Sequence, residues 1–272
     1  MASASYVIDA LGTRHPEAGA DARIVSLVPS LTELLCELDL ADQIVGRTGF
    51  CIHPKSTVRG IRKLGGTKDV DVAALRELAP THVILNIDEN RRELSEELAQ
   101  FVEHIVVTHP LVPDDNVALY ELFGALFRRR EAAQDLVAKF RAARARLADI
   151  EDKPYQRVLY LIWRDPWMTV TRETYIAKML ELINWQTLPA TAPSRYPEIE
   201  LEAYSGDVDR VLLSSEPYAF REKHLAEVRA HFAADVDVAL VDGEMLSWYG
   251  SRAIAGLDYL ATLCRDAKRA AA

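Results

Sequence analysis

The stretch 131-EAAQDLVAKFRAARARLADIED-152, near the middle of a chain of 272 residues, decides how the rest is read. Leu136, Phe140, Ala143, Leu147 and Ile150 recur at spacings of four and three, one face of an α-helix. Lys139, Arg141, Arg144, Arg146 and Asp149 fill the other faces, no Gly or Pro interrupts the run, and Pro154 stops it. About 22 residues at 1.5 Å each make roughly 33 Å, enough to cross a domain. On both sides, short apolar runs alternate with helical patterns. The helix is either a rigid strut joining two α/β lobes or an ordinary surface helix of a single domain.

The chain is long enough for one large domain or two smaller ones. Hydrophobic residues make up 49% and charged residues 27%, a globular balance. The formal charge of −9 disfavours nucleic acid or an anionic membrane surface as main partner. No run approaches the ~18 apolar residues of a spanning helix. The opening MASASYVIDALGTRHPEAGADAR has no basic segment followed by an apolar core, so it does not read as a secretory leader. The expected compartment is the cytoplasm as the sequence stands, or the periplasm if a leader has been removed. Cys36, Cys51 and Cys264 are odd in number and widely spaced, so reduced thiols are expected.

Residues 1–22 read as an irregular lead-in with a short strand near Tyr6–Asp9. Strands are expected at 23–28, 44–47, 82–85 and 105–108, and after the long helix at 157–162, 211–214 and 238–241. Helices are expected at 31–38, 72–78, 92–101 and 115–127, then at 174–183, 200–204, 223–231 and 250–265. Ser30, with Glu33 three residues on, reads as a capping box. The stretch 242–249 reads as a loop. Each strand ends in a loop before a helix, the layout of a parallel sheet that meets ligand at that edge. The ranges are 1–22 lead-in, 23–127 first α/β lobe, 128–153 connecting helix and 154–272 second α/β lobe, with a cleft expected between the lobes. Each lobe is expected to hold a mainly parallel central sheet flanked by helices.

No strong catalytic signature is present: GxSxG, HExxH, P-loop and GxGxxG patterns are all missing. Aromatics instead collect in the loops at the expected strand ends: Phe50, Trp163, Trp167, Tyr218, Trp248 and Tyr249. Such loops suit a large, flat or apolar ligand, with about half of these rings expected to be core. Cys51 and His53 are the only soft ligands close in sequence, and two ligands do not complete a metal site. Glu216 or Asp242 would have to join them. Arg164 either meets a ligand anion or pairs locally with Asp165 or Glu173. Lys68, Asn90 and Arg91 are further polar candidates. Arg128-Arg129-Arg130 reads as a solvated helix junction. His82, opening a strand, reads as structural, and His15, His104, His109, His224 and His231 as solvated.

Taken together, RIVSLVPSLTELL (23–35), VGRTGFCIHP (45–54), KLGGTKDVDVAALRELAPTHVI (63–84), LIWRDPWMTV (161–170), RYPEIELE (195–202), LLSSEPYAFREKH (212–224) and LVDGEMLSWYGSR (240–252) resemble the class III periplasmic binding proteins. These are the helical-backbone receptors for cobalamin and ferric siderophores. The resemblance implies two α/β lobes joined by one long helix, a ligand held between them, and no catalysis. By it, Phe50, Trp163, Trp167, Tyr218 and Trp248 correspond to ligand-facing aromatics, and Tyr196 lies in a matching motif. No cofactor is required; cobalamin or another metal chelate is the implied ligand of a monomer. The family docks an ABC permease through one glutamate on each lobe. Glu202 matches the second, whereas Ala73 stands where the first is expected. The chain is therefore expected either to bind its chelate without transport or to serve an uptake transporter. A metal-dependent enzyme using Cys51 and His53 is the reading from another class.

Overall fold

A computed structural model of the chain describes residues 6–271, with side chains to residue 267. The first five residues of the lead-in, where the stretch read for a leader begins, and Ala272 lie outside the described residues. In chain order the elements are β1 (Tyr6–Ile8), β2 (Arg14–Pro16), β3 (Ile24–Ser26), α1 (Pro29–Glu37), β4 (Ile44–Arg47), α2 (Lys55–Val58), β5 (Arg62–Lys63), α3 (Val72–Glu77), β6 (His82–Asn86), α4 (Arg92–Leu98), β7 (His104–Thr108) and α5 (Asp115–Leu126). Then follow α6 (Arg130–Ala148), β8 (Gln156–Leu161), α7 (Tyr175–Glu181), β9 (Trp185–Thr187), β10 (Arg210–Ser214), α8 (Glu222–Arg229), β11 (Asp237–Val241), α9 (Gly243–Ser247) and α10 (Arg252–Ala271). No helix among the described residues is long and apolar enough to cross a membrane.

The chain forms two compact units. The first comprises Met1–Pro110, Asp114–Lys139 and Tyr249–Arg252; the second comprises Leu111–Pro113, Phe140–Trp248 and Ala253–Ala272. The change-over at 139/140 falls inside α6, so the units cut the chain elsewhere than the ranges 23–127 and 154–272. The first returns to collect Tyr249–Arg252, because Gly250 N–H donates to Asn116 Oδ1 at 2.6 Å and Tyr120 donates its hydroxyl to Gly250 O at 2.9 Å. Gly250 has φ +84°, a conformation that suits glycine.

The first unit holds a five-stranded parallel sheet in the order β5-β4-β3-β6-β7, and β1 pairs antiparallel with β2 as a separate hairpin. Its core gathers Val25, Leu27, Leu75, Val83, Leu85 and Leu98. All five residues of β6 are buried, as expected of a central parallel strand covered on both faces. The second unit holds a four-stranded parallel sheet, β11-β10-β8-β9, over a core of Leu159, Leu161, Val211, Leu213, Val228 and Val238. The strand order reverses between β3 and β6 in the first sheet and between β8 and β10 in the second, the places where such sheets open a crevice for ligand.

Four expectations change. The long helix stops at Ala148, not Asp152, and spans about 28 Å. Asp149, Glu151 and Asp152 would sit badly at a helix C-terminus, and Pro154 biases residue 153 away from helix. Ser30 does not cap α1: Pro29 occupies the first turn and Val28 is the cap position. Glu33 instead pairs with Arg252, at 2.8 Å to Nε and 2.6 Å to Nη2. The 242–249 loop contains α9, capped by Asp242 Oδ1 accepting from Met245 N–H. Finally, β2, β5 and β9 are two or three residues each, too short to show a period.

Candidate functional site

In the second unit the crevice-forming loops follow β8 and β10, and they bring three of the expected aromatics together. Trp163, 40% exposed, packs edge-on against Tyr218 with ring centroids 5.7 Å apart. Tyr218 lies against Phe220 at 4.7 Å, and Phe220 stacks on Trp167 at 6.1 Å with the planes 4° apart. His224, at the start of α8, closes the cluster at 5.6 Å from both Tyr218 and Phe220. It is buried rather than solvated, its Nδ1 accepting from Arg221 N–H at 2.9 Å. Phe220 and His224 were not among the sequence candidates. The Tyr-x-Phe spacing, two residues on one side of an extended segment, is the signal that could have shown Phe220.

Arg164 pairs locally, but with a partner beyond those expected. Its Nε and Nη2 meet Glu227 Oε1 at 3.1 and 2.8 Å, and Nη1 meets Asp165 at 3.0 Å. Glu216 accepts two short hydrogen bonds on Oε1, from Ser247 Oγ at 2.6 Å and Trp248 Nε1 at 2.7 Å. Burial nevertheless pushes its carboxyl pKa up, with Glu244 and Asp242 adding to the rise. Trp248 is thereby fixed in the interior, 7% exposed. Asp242 is occupied as the α9 cap. Tyr196 is partly buried, with the Arg195 guanidinium 5.9 Å from its ring. Glu202 is exposed and pairs with His231 at 2.7 Å.

In the first unit, Phe50 stands 64% exposed after β4, with exposed Ile52 beside it in sequence and exposed Ile87 after β6. Neither isoleucine was expected from the sequence, where an exposed loop aliphatic looks like any other apolar residue. Asn90 is buried and tied down: Nδ2 donates to Leu27 O at 3.2 Å and Thr67 O at 2.9 Å, while Oδ1 accepts from Asn86 N–H. Arg91 donates to the Lys68 carbonyl and to Asp69 Oδ1, so it braces the 65–70 turn, and the Lys68 side chain is exposed. Tyr249 is buried and donates to Glu89 at 2.5 Å; burial raises its phenol pKa well above the ordinary value. Ala73 is exposed on α3.

Cys51 is fully buried. Its Sγ lies 3.1 Å from Thr48 Oγ1 and 3.8 Å from Ser26 O, and burial raises the thiol pKa. His53 is partly buried. Among the described residues no group of three or more His, Cys, Asp or Glu side chains is placed to hold a metal ion, so Cys51 and His53 gain no third ligand. Burial also takes the Cys36 thiol to about 11. A thiol reagent at pH 8 is therefore expected to modify Cys36 slowly and Cys51 not at all until guanidinium unfolds the chain. Fast loss of the Cys51 thiol in the native protein would show that the 48–54 loop opens.

A cavity of about 680 Å³ in the second unit lies at the opposite, amino edge of the sheet. Its two arginines, Arg157 and Arg210, are engaged by Asp209 and Asp237, both at 2.8 Å. It is separate from the aromatic loops.

A search of curated proteins finds no match. Among solved structures, the chain is similar to the periplasmic vitamin B12 binding protein of Vibrio cholerae, at 17% identity, TM-score 0.77, and 90% of this chain against 97% of that one. It is similar to the periplasmic heme-binding protein from Roseiflexus sp. RS-1 at 20% identity, TM-score 0.75, covering 91% and 99%. A periplasmic heme-binding protein from Pseudomonas aeruginosa matches at 18% identity, TM-score 0.77, covering 89% and 91%. These likenesses show the fold, the class III helical-backbone architecture. The family model described as periplasmic binding protein matches residues 24–232, most of the chain. The chain belongs to the periplasmic binding protein family, whose members bind solutes and are not enzymes.

Proposed function

We propose that the chain is a monomeric binding protein for a large, flat metal chelate, a corrinoid first and a heme as its competitor. The observation that carries this reading is the aromatic cluster at the β8/β10 reversal, where the half-exposed Trp163 indole is backed by Tyr218, Phe220 and Trp167. A ring held on its inner side by other rings offers its outer side to a planar ligand at little entropic cost. The B12- and heme-binding relatives support the same chemical class. No resident cofactor is needed, because the chelate is the cargo.

Titration with cyanocobalamin and with hemin, followed by visible spectrum and calorimetry, tests the proposal. Saturable micromolar or tighter binding of one is expected. Trp163→Ala should weaken it by about 1–3 kcal/mol, roughly 5- to 150-fold in Kd, without loss of fold. Absence of binding by both chelates sinks the assignment.

A second reading keeps the ligand and adds an ABC permease, for which the exposed Glu202 offers one docking charge. Ala73, exposed on α3, offers none. Measured affinity for a permease, reduced by Glu202→Ala, would favour transport.

A further inference from the structure

The β1–β2 hairpin is fastened over the outer edge of the first unit's sheet. Ala10 N–H donates to Val107 O at 2.9 Å, and Val107 N–H donates to Asp9 Oδ2 at 3.1 Å. Since β7 is an edge strand, the hairpin covers backbone groups that would otherwise be open to pairing. Under it three imidazoles from three strands are packed together. His82 of β6 and His104 of β7 are cross-strand neighbours with ring centroids 4.7 Å apart, and His15 of β2 lies 6.0 Å from His104. The sequence reading of His15 and His104 as solvated is thus corrected: the fold makes neighbours of residues 15, 82 and 104.

The charges around this cluster are unevenly shared. His15 Nε2 lies 3.2 Å from Asp9 Oδ2. Burial alone would raise the Asp9 pKa, but hydrogen bonds from His15 and from the Val107, Thr13 and Leu11 N–H groups hold it below the ordinary carboxylate range. His104 Nε2 has Glu103 at 3.7 Å, a carboxylate mostly in solvent. His82 has the Thr81 hydroxyl at 2.8 Å from Nδ1 and the Phe127 ring at 5.2 Å, but no carboxylate among the described residues is paired with it. Its Nε2 and the Nδ1 of His15 are buried without a hydrogen-bond partner among the described residues. Beyond Phe127, Arg128 and Arg130 turn to Glu17, the residue after β2, at 2.7 and 2.9 Å. Arg23, next to Thr81, spends its Nε and Nη2 on the Leu78 carbonyl.

We infer that the β1–β2 hairpin is an acid-released strap, held shut while His82 stays neutral. In the closed state a proton on His82 would add a cation beside His104 with neither water nor a carboxylate to receive it. Opening the hairpin gives Nε2 to water. Burial, then His104 and His15, lower the closed-state pKa of His82 from 6.5 to about 4. A proton therefore binds the open state first. The closed state is fully favoured above pH 6.5, and opening grows as pH falls from there, levelling off below about 4. His104, also lowered chiefly by burial, acts in the same direction. Asp9 keeps the hairpin shut until the pH falls below the carboxylate range. For His82 alone, linkage gives roughly a 30-fold rise in the opening constant between pH 7.5 and 5.

Amide exchange of the full chain at these two pH values, corrected for intrinsic rates, tests the strap. The Ala10 and Val107 amides are expected to open roughly 30-fold more at pH 5, while the Val83 amide of β6 changes little. His82→Gln should flatten the rise. Should that variant not fold, titration of the His82 ring in the native chain replaces it, with a midpoint near 4 expected. A flat response at Ala10 and Val107, an equal rise at Val83, or a His82 midpoint near 6.5 each overturns the inference.

Discussion

Replacing Trp185 by alanine is expected to remove about 3–5 kcal/mol of folding stability, the range for deleting a large buried ring. Trp185 lies in β9, at the edge of the second sheet, yet it is wholly inaccessible to solvent. The Arg210 guanidinium sits 4.7 Å over its ring while Nη1 of the same residue reaches Asp237 at 2.8 Å. Deleting the indole removes the apolar partner of a nearly buried cation as well as filling volume. The indole N–H has no hydrogen-bond partner among the described residues. Trp185→Phe should therefore cost clearly less, because it keeps most of the ring and discards an unpaired donor. Urea unfolding followed by circular dichroism compares the two variants. A loss below about 1.5 kcal/mol for the alanine variant would mean that the strand collapses onto the gap and that the ring is not an anchor.

Trp248→Ala is expected to damage the fold by a similar amount, about 3–5 kcal/mol, rather than to act on ligand alone. Its indole is in the interior, its backbone N–H ends α9 on Glu244 O at 3.1 Å, and its Nε1–H is one of two donors to Glu216 Oε1. The variant leaves that desolvated carboxylate with the Ser247 hydroxyl alone on the same oxygen. The pH dependence has a definite sign. Because the folded-state pKa of Glu216 is raised, folded protein binds this proton more tightly than unfolded chain. The penalty of the buried charge is present above the folded pKa and is relieved as pH falls through it. The stability deficit should thus be larger at pH 8 than at pH 5. Trp163→Ala, by contrast, should leave stability within about 1 kcal/mol of the parent, since its ring is substantially exposed. A Trp248→Ala protein as stable as the parent would return Trp248 to the ligand-facing group.

The longer strands were legible because buried parallel strands leave compact apolar runs: Ile24-Val25, Val83-Ile84-Leu85 and Val211-Leu212-Leu213 admit few other readings. The long helix was legible from one uninterrupted 3.6-residue period. Its last turn was not, since the acidic residues there oppose the helix only through end effects that periodicity ignores. Glu33 shows the limit of local signals. Its spacing from Ser30 suits a capping box, but a guanidinium more than two hundred positions away holds it instead. Phe50, Trp163, Trp167 and Tyr218 do follow strand ends, yet sequence could not separate the exposed Phe50 and Trp163 from the interior Trp248 and Tyr249. That distinction depends on which hydrogen-bond acceptor, Glu216 or Glu89, the fold brings beneath the ring. The histidine cluster was invisible for the same reason.

The short return of Tyr249–Arg252 to the first unit governs how the protein can be made. Tyr249, Gly250 and Arg252 supply partners of Glu33, Glu89, Asn116 and Tyr120, so the first unit is incomplete until residue 252 has been synthesised. Until then a nascent chain on the ribosome carries an unfinished amino-terminal unit. Any factor that must thread the unfolded chain across a membrane, or shield it from aggregation, has that whole interval in which to engage it.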